Sequence, residues 1–126
     1  MSNSPVKTWA VAAAVCLLGV GCASKKPVSR PPDLSGLEQA DARVLQGCYD
    51  CLLDAHATYR RIGMGTGRPV VLTRLFETSI LLGLRHKELA LDSSDFFDEA
   101  RALIKELPPE IDAARYLAIA EAAPPD

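Results

Sequence analysis

The chain has 126 residues, with 14 Lys and Arg against 16 Asp and Glu, 48% hydrophobic residues and 6% aromatic ones. That length supports one small domain with a modest core. Charges of both signs are mixed along the chain, leaving no basic stripe for nucleic acid and no acidic tail for a charged ligand. An aliphatic-rich, aromatic-poor composition favours helical packing over a sandwich.

Lys7 gives a short positive start, and from Trp9 to Val20 the chain is uncharged and dominated by Ala, Val and Leu. This run is shorter than the roughly 20 apolar residues of a spanning helix and carries the flanks of an export signal. It closes in Leu18-Gly19-Val20-Gly21-Cys22, which resembles the lipobox of bacterial lipoproteins. Small residues before the cysteine let the backbone lie flat in a protease groove, and the thiol is the acylation point. The resemblance implies a signal peptide over residues 1–21 and a lipid anchor, such as palmitate, on Cys22. Gly19 departs from the pattern, which has Leu there, and Leu18 sits one residue earlier. Cys16 does not fit, because Val15 is not a small residue. An ordinary secretory signal and an uncleaved anchor are the alternatives. Ala23 is not the Asp that favours inner-membrane retention, so the periplasmic face of the outer membrane is the expected location.

Cleavage at that point leaves about 105 residues, enough for one domain. Residues 22–34 contain Lys25, Lys26, Pro27, Ser29, Arg30, Pro31 and Pro32, a composition that buries nothing and serves as a flexible tether.

Residues 35–126 read as helices. Ser35-Gly36-Leu37-Glu38 has the form of a capping box, and Leu37, Ala40 and Val44 follow at helical spacing until Gly47. A second helix is expected from Asp50 to Arg61, with Leu52, Ala55, Tyr59 and Ile62 as its stripe. Gly63, Gly65, Gly67 and Pro69 predict a loop. A third helix starts at Pro69, which suits the first helical position, and runs to Leu89. It is apolar on more than one side, as a helix between neighbours is. Asp92 or Ser93 caps a fourth, whose face is Phe96, Ala100, Leu103 and Leu107, and Pro108 and Pro109 end it. A fifth runs from Pro109 to Ala122. No segment alternates long enough for a strand, so the expected class is all-α with five helices.

Gly47-Cys48-Tyr49-Asp50, followed by Ala55 and Tyr59, resembles the turn and second helix of a tetratricopeptide repeat. The third and fourth helices resemble a second, degenerate pair, with Gly83 near a close-packing position. The resemblance implies antiparallel hairpins of about 34 residues stacked as a short solenoid, and a concave surface that binds peptides or proteins without catalysis. A non-repeat helical bundle is the alternative.

Cys48 and Cys51 remain once Cys16 is removed and Cys22 acylated. A c-type haem needs His after the second cysteine, where Leu52 stands. Zinc needs two more ligands, and His56 and His86 form no recognisable ligand pair with the cysteines. A redox pair is better motivated, since Cys51 falls in the first turn of a helix, where the dipole favours thiolate, and export supplies an oxidising compartment. No strand precedes the pair, which argues against a thioredoxin fold. A local disulfide staple, or two buried thiols, is preferred. His56 reads as an interface histidine and His86, among Arg85, Lys87 and Glu88, as solvent-facing. Gly63-Met64-Gly65-Thr66-Gly67 lacks an entering strand and a following Gly-Lys-Ser, so it reads as a connector rather than a phosphate loop.

The sequence therefore predicts a membrane-anchored scaffold or assembly factor that binds another protein. No enzyme activity, cofactor, metal, nucleic acid or small-molecule substrate is expected. A periplasmic thiol–disulfide protein and a purely structural envelope lipoprotein are the alternatives.

Overall fold

The computed structural model describes residues 33–125, and the export signal, Cys16, Cys22 and almost all of the tether lie outside the described residues. Within them the chain is all-α, with five α-helices: α1 (Leu37–Gln46), α2 (Tyr49–Thr66), α3 (Pro69–Glu88), α4 (Ser94–Leu103) and α5 (Ala113–Ala122). Each of the first four packs on its neighbour in sequence, and α5 returns to lie against both α3 and α4. Tyr59, Val71, Leu75, Phe76 and Leu82 are among the most deeply buried core residues, and Ala55 and Ala100 are fully buried beside them. Leu34, within the expected tether, packs on the edge of this core.

Helix ends differ from the sequence expectation in four places. The capping box at Ser35 does not form. Gly36 holds the N-cap position at φ 91 and no side chain caps the helix, while the Ser35 N–H bonds Asp33 Oδ1 at 2.9 Å. A left-handed N-cap is open to glycine and strained for most other residues. α2 passes through Gly63 and Gly65 and stops at Gly67, whose φ of 60 closes the turn onto the Gly63 carbonyl at 2.7 Å. Each glycine costs a helix interior about 1 kcal/mol. Burial of Ile62 and of Gly63 against Leu72 and Val71 of α3 offsets it.

α4 tightens after Leu103 into a 3-10 turn, Ile104–Glu106, and Leu107 turns extended at ψ 152, as a residue before proline must. α5 starts at Ala113 rather than Pro109, because Asp112 caps it by accepting the Arg115 N–H. The corner after α3 has Ala90 at φ 54 and a Leu91 N–H to His86 carbonyl bond of 2.7 Å, the doubly bonded helix end that usually carries glycine.

From Leu37 to Pro69, the starts of α1 and α3, is 32 residues, and from Pro69 to Ala113, the start of α5, is 44. A repeat of fixed length would make these intervals equal. Neighbour-on-neighbour helical packing is present, and among the described residues the helix starts show no fixed repeat interval.

Candidate functional site

Several features gather polar or reactive side chains, and another is apolar. Cys48 caps α2. Its Sγ accepts the Cys51 N–H at 3.0 Å, and the two sulfurs stand 2.08 Å apart across a Cα–Cα distance of 5.0 Å. Cys48 is exposed and Cys51 buried. The bond closes a very short ring at the head of an 18-residue helix. In the loop-entropy picture it contributes about 2 kcal/mol. Replacing both cysteines with Ser keeps a capping atom at position 48, so urea unfolding of the double variant should read that loss together with the cost of a hydroxyl at buried position 51. Helical circular dichroism should not change, and reductant should destabilise the wild type by the loss of the bond alone. A double variant as stable as the wild type would remove the staple.

The second feature joins α2, α3 and α4. His56 Nε2 lies 2.5 Å from Glu99 Oε2, the buried Ser79 hydroxyl donates to that oxygen at 3.0 Å, and Arg60 Nε stands 3.4 Å from Oε1. These are the residue types of a hydrolytic triad in an order that cannot work as one. Ser79 is fully buried, and its single hydroxyl proton is shared between the Glu99 carboxylate and the Leu75 carbonyl, 2.8 Å away. A nucleophile must meet the imidazole and the substrate. The group is a buried polar network that orients α4 on α2 and α3.

Burial works against the Glu99 charge. The hydrogen bond and positive charge of His56, the Ser79 hydroxyl and the Arg60 guanidinium outweigh it and hold the carboxyl below the usual glutamate value of 4.5. A carboxylate whose acidity is strengthened by folding favours the native state above its unfolded pKa and loses that contribution as pH falls through the folded one. Stability should therefore drop in the acid range below the usual glutamate value. In Glu99→Gln that part of the profile should flatten. An identical acid slope in the variant would assign the loss to other carboxylates.

His86 is tied rather than solvent-facing, contrary to the sequence expectation. It is half-buried, with Nδ1 2.5 Å from the Asp92 carbonyl and Nε2 2.8 Å from the Tyr49 hydroxyl, and its ring meets Phe96 edge-on at 4.8 Å. The carbonyl only accepts, so Nδ1 carries the proton, and in neutral imidazole Nε2 then accepts from the tyrosine. Its charged sequence neighbours give no sign of this; the partner residues come from the start of α2 and the turn before α4. Tyr59, in the core, donates to Asp41 Oδ1 at 2.5 Å, and Arg74 Nε stands 3.1 Å from the same oxygen without aiming its N–H at it. Burial, then the bond to the Asp41 carboxylate, push the Tyr59 phenol well above its usual pKa.

The apolar feature is a groove of about 860 Å³ between α3 and α5. Phe76, Ile80 and Leu84 of α3 and Ile111 line it, and Leu81, Tyr116 and Ile119 on its border are exposed by 41%, 60% and 60%. A smaller crevice between α1 and α2 is polar, lined by Gln39, Arg43, Asp54, Thr58 and Arg61.

No family model, curated protein or solved structure matches this chain.

Among the described residues, no helix is long and apolar enough to cross a membrane, and no group of three or more His, Cys, Asp or Glu side chains is placed to hold a metal ion. The structure brings Cys48 and Cys51 together. Among the described residues neither His56 nor His86 joins them in a metal-binding group, and both histidine rings meet Phe96. Sequence reasoning missed Ser79 and Glu99, which stand 20 residues apart and carry no local motif. It also missed the α3–α5 groove.

Proposed function

We propose that this chain is an envelope lipoprotein, anchored through Cys22 at the periplasmic face of the outer membrane, whose helical domain holds a partner protein at the membrane surface. The lipobox-like Leu18-Gly19-Val20-Gly21-Cys22 supports the anchor. The α3–α5 groove carries the binding half, because a contiguous apolar surface bordered by exposed Leu81, Tyr116 and Ile119 is what protein contact sites present. Gly47 at the end of α1, and buried Ala55 and Tyr59 on α2, support a likeness to a tetratricopeptide hairpin. We read α1–α2 and α3–α4 as two divergent hairpins of that kind, the second lengthened by its connection to α5. On this proposal the domain binds and does not catalyse.

Crosslinking in intact cells, followed by identification of what co-purifies, tests the binding half. Labelled fatty acid tests the anchor, with incorporation expected in the wild type and lost in Cys22→Ala. Label that survives the substitution would sink the anchor, and loss in Cys16→Ala instead would move it. A second reading, a thiol–disulfide protein, draws on the exposure of Cys48 at the head of α2. Insulin reduction by the wild type that disappears in the double cysteine variant would favour it.

A further inference from the structure

We infer that the α3–α5 groove receives one amphipathic helix of a partner protein, an apolar stripe flanked by Lys or Arg. The inference rests on the protein-binding reading above and specifies its partner.

Shape comes first. α5 has 10 residues and therefore runs about 15 Å, close to three turns of an occupying helix. Tyr116 and Ile119 project from it at a spacing of three, and Leu81 borders the groove from α3. Such a trough suits anchors at i, i+3, i+4 and i+7 of the incoming helix.

Charge then selects the flanks. Glu77, Glu110 and Asp112 line the groove, and no Lys or Arg does. Among the described residues none of these three carboxylates makes a salt bridge, although Asp112 also caps α5 by accepting the Arg115 N–H. Two cations near the end of α5 are engaged. Lys87 donates to the carbonyls of Ala120, Glu121 and Ala123 at the end of α5, and Arg101 is held by Asp98 and Glu121. An acidic border around an apolar floor attracts a basic amphipathic segment and repels an acidic one. The same border disfavours an anionic lipid surface.

The test uses the full chain in phosphatidylcholine nanodiscs, with empty nanodiscs as the blank. The probe is a fluorescent helix of about 12 residues with Leu at i, i+3, i+4 and i+7 and Lys on both flanks; its control carries Glu in place of Lys. The Lys probe should bind at least about tenfold tighter than the Glu probe, a preference that shrinks at high salt. Ile119→Asp should abolish binding. Glu77→Gln with Glu110→Gln should lower the preference while circular dichroism stays unchanged. Equal binding of the two probes, or binding that survives Ile119→Asp, would overturn the inference. Signal from the empty nanodiscs alone would assign the basic helix to the membrane and overturn it too.

A photocrosslinking side chain placed in turn at Leu81 and at exposed Ala57 of α2 separates the two levels in intact cells. Capture from Leu81 supports the groove. Capture from Ala57 alone would refute the groove and leave protein binding standing, and capture from neither would refute both.

Discussion

Phe76→Ala should cost about 3–5 kcal/mol, the largest loss from any single truncation in the domain. Phe76 is 2% exposed in the middle of α3, where its ring separates the core from the floor of the α3–α5 groove. Removing it deletes apolar contacts on both sides, and the helices around it are tied by other residues and cannot close fully over the void. A domain of this size holds roughly 5–14 kcal/mol in all, so the variant should sit near the edge of folding at 37 °C. Urea unfolding checks this through a lower midpoint at unchanged slope. A loss under about 1 kcal/mol would mean that α5 collapses into the space, and the groove would then be shallower in solution than in the structure.

Gly83→Leu should be nearly as damaging, by the opposite mechanism. A Cβ at position 83 would stand 2.6 Å from Cε1 and 2.7 Å from Cζ of the Phe97 ring, well inside contact distance. That ring is buried, with the Lys87 ammonium 5.4 Å from its centroid, so it cannot turn aside freely. Overpacking of this kind costs about 1–3 kcal/mol, and the longer side chain belongs at or above the upper end. Gly83→Ala meets the same ring but gains about 1 kcal/mol of helix propensity, so its net cost should be smaller. Thermal unfolding of the two variants against the wild type gives the order. A stabilised Gly83→Ala would show that Phe97 swings out of the way and that α3 and α4 are less tightly set.

Helices were legible because their apolar spacing survives without knowledge of partners. The stripes of α2 and α4 name part of the core, and Gly83 stood out as a point of close approach. Ends were less legible. At Gly63 and Gly65 local propensity argues for a loop, and only contact with Val71 and Leu72 of the next helix reverses it. At Ser35 the four-residue pattern is right, but a left-handed Gly36 takes the N-cap place. The polar networks were not legible at all. His56 and Glu99 are 43 residues apart, and Tyr49 and His86 are 37 apart, distances over which one sequence carries no pairing signal. Cys48 and Cys51 were legible because a short spacing at a helix start brings two sulfurs within reach whatever the rest of the fold does.

Packing of α1 on α2, α2 on α3 and α3 on α4 makes most of the domain's contacts local in sequence. Little chain must be closed before each contact is rewarded, so the search for the native state is short. Helical domains of this low contact order fold in microseconds to milliseconds. α5 must reach past its predecessor to α3 with few contacts to hold it there, and it should dock last. A chain that crosses a membrane unfolded, as an exported lipoprotein does, would complete its fold on the far side well before it met a partner. Its last-formed boundary would be the one that the partner is proposed to touch.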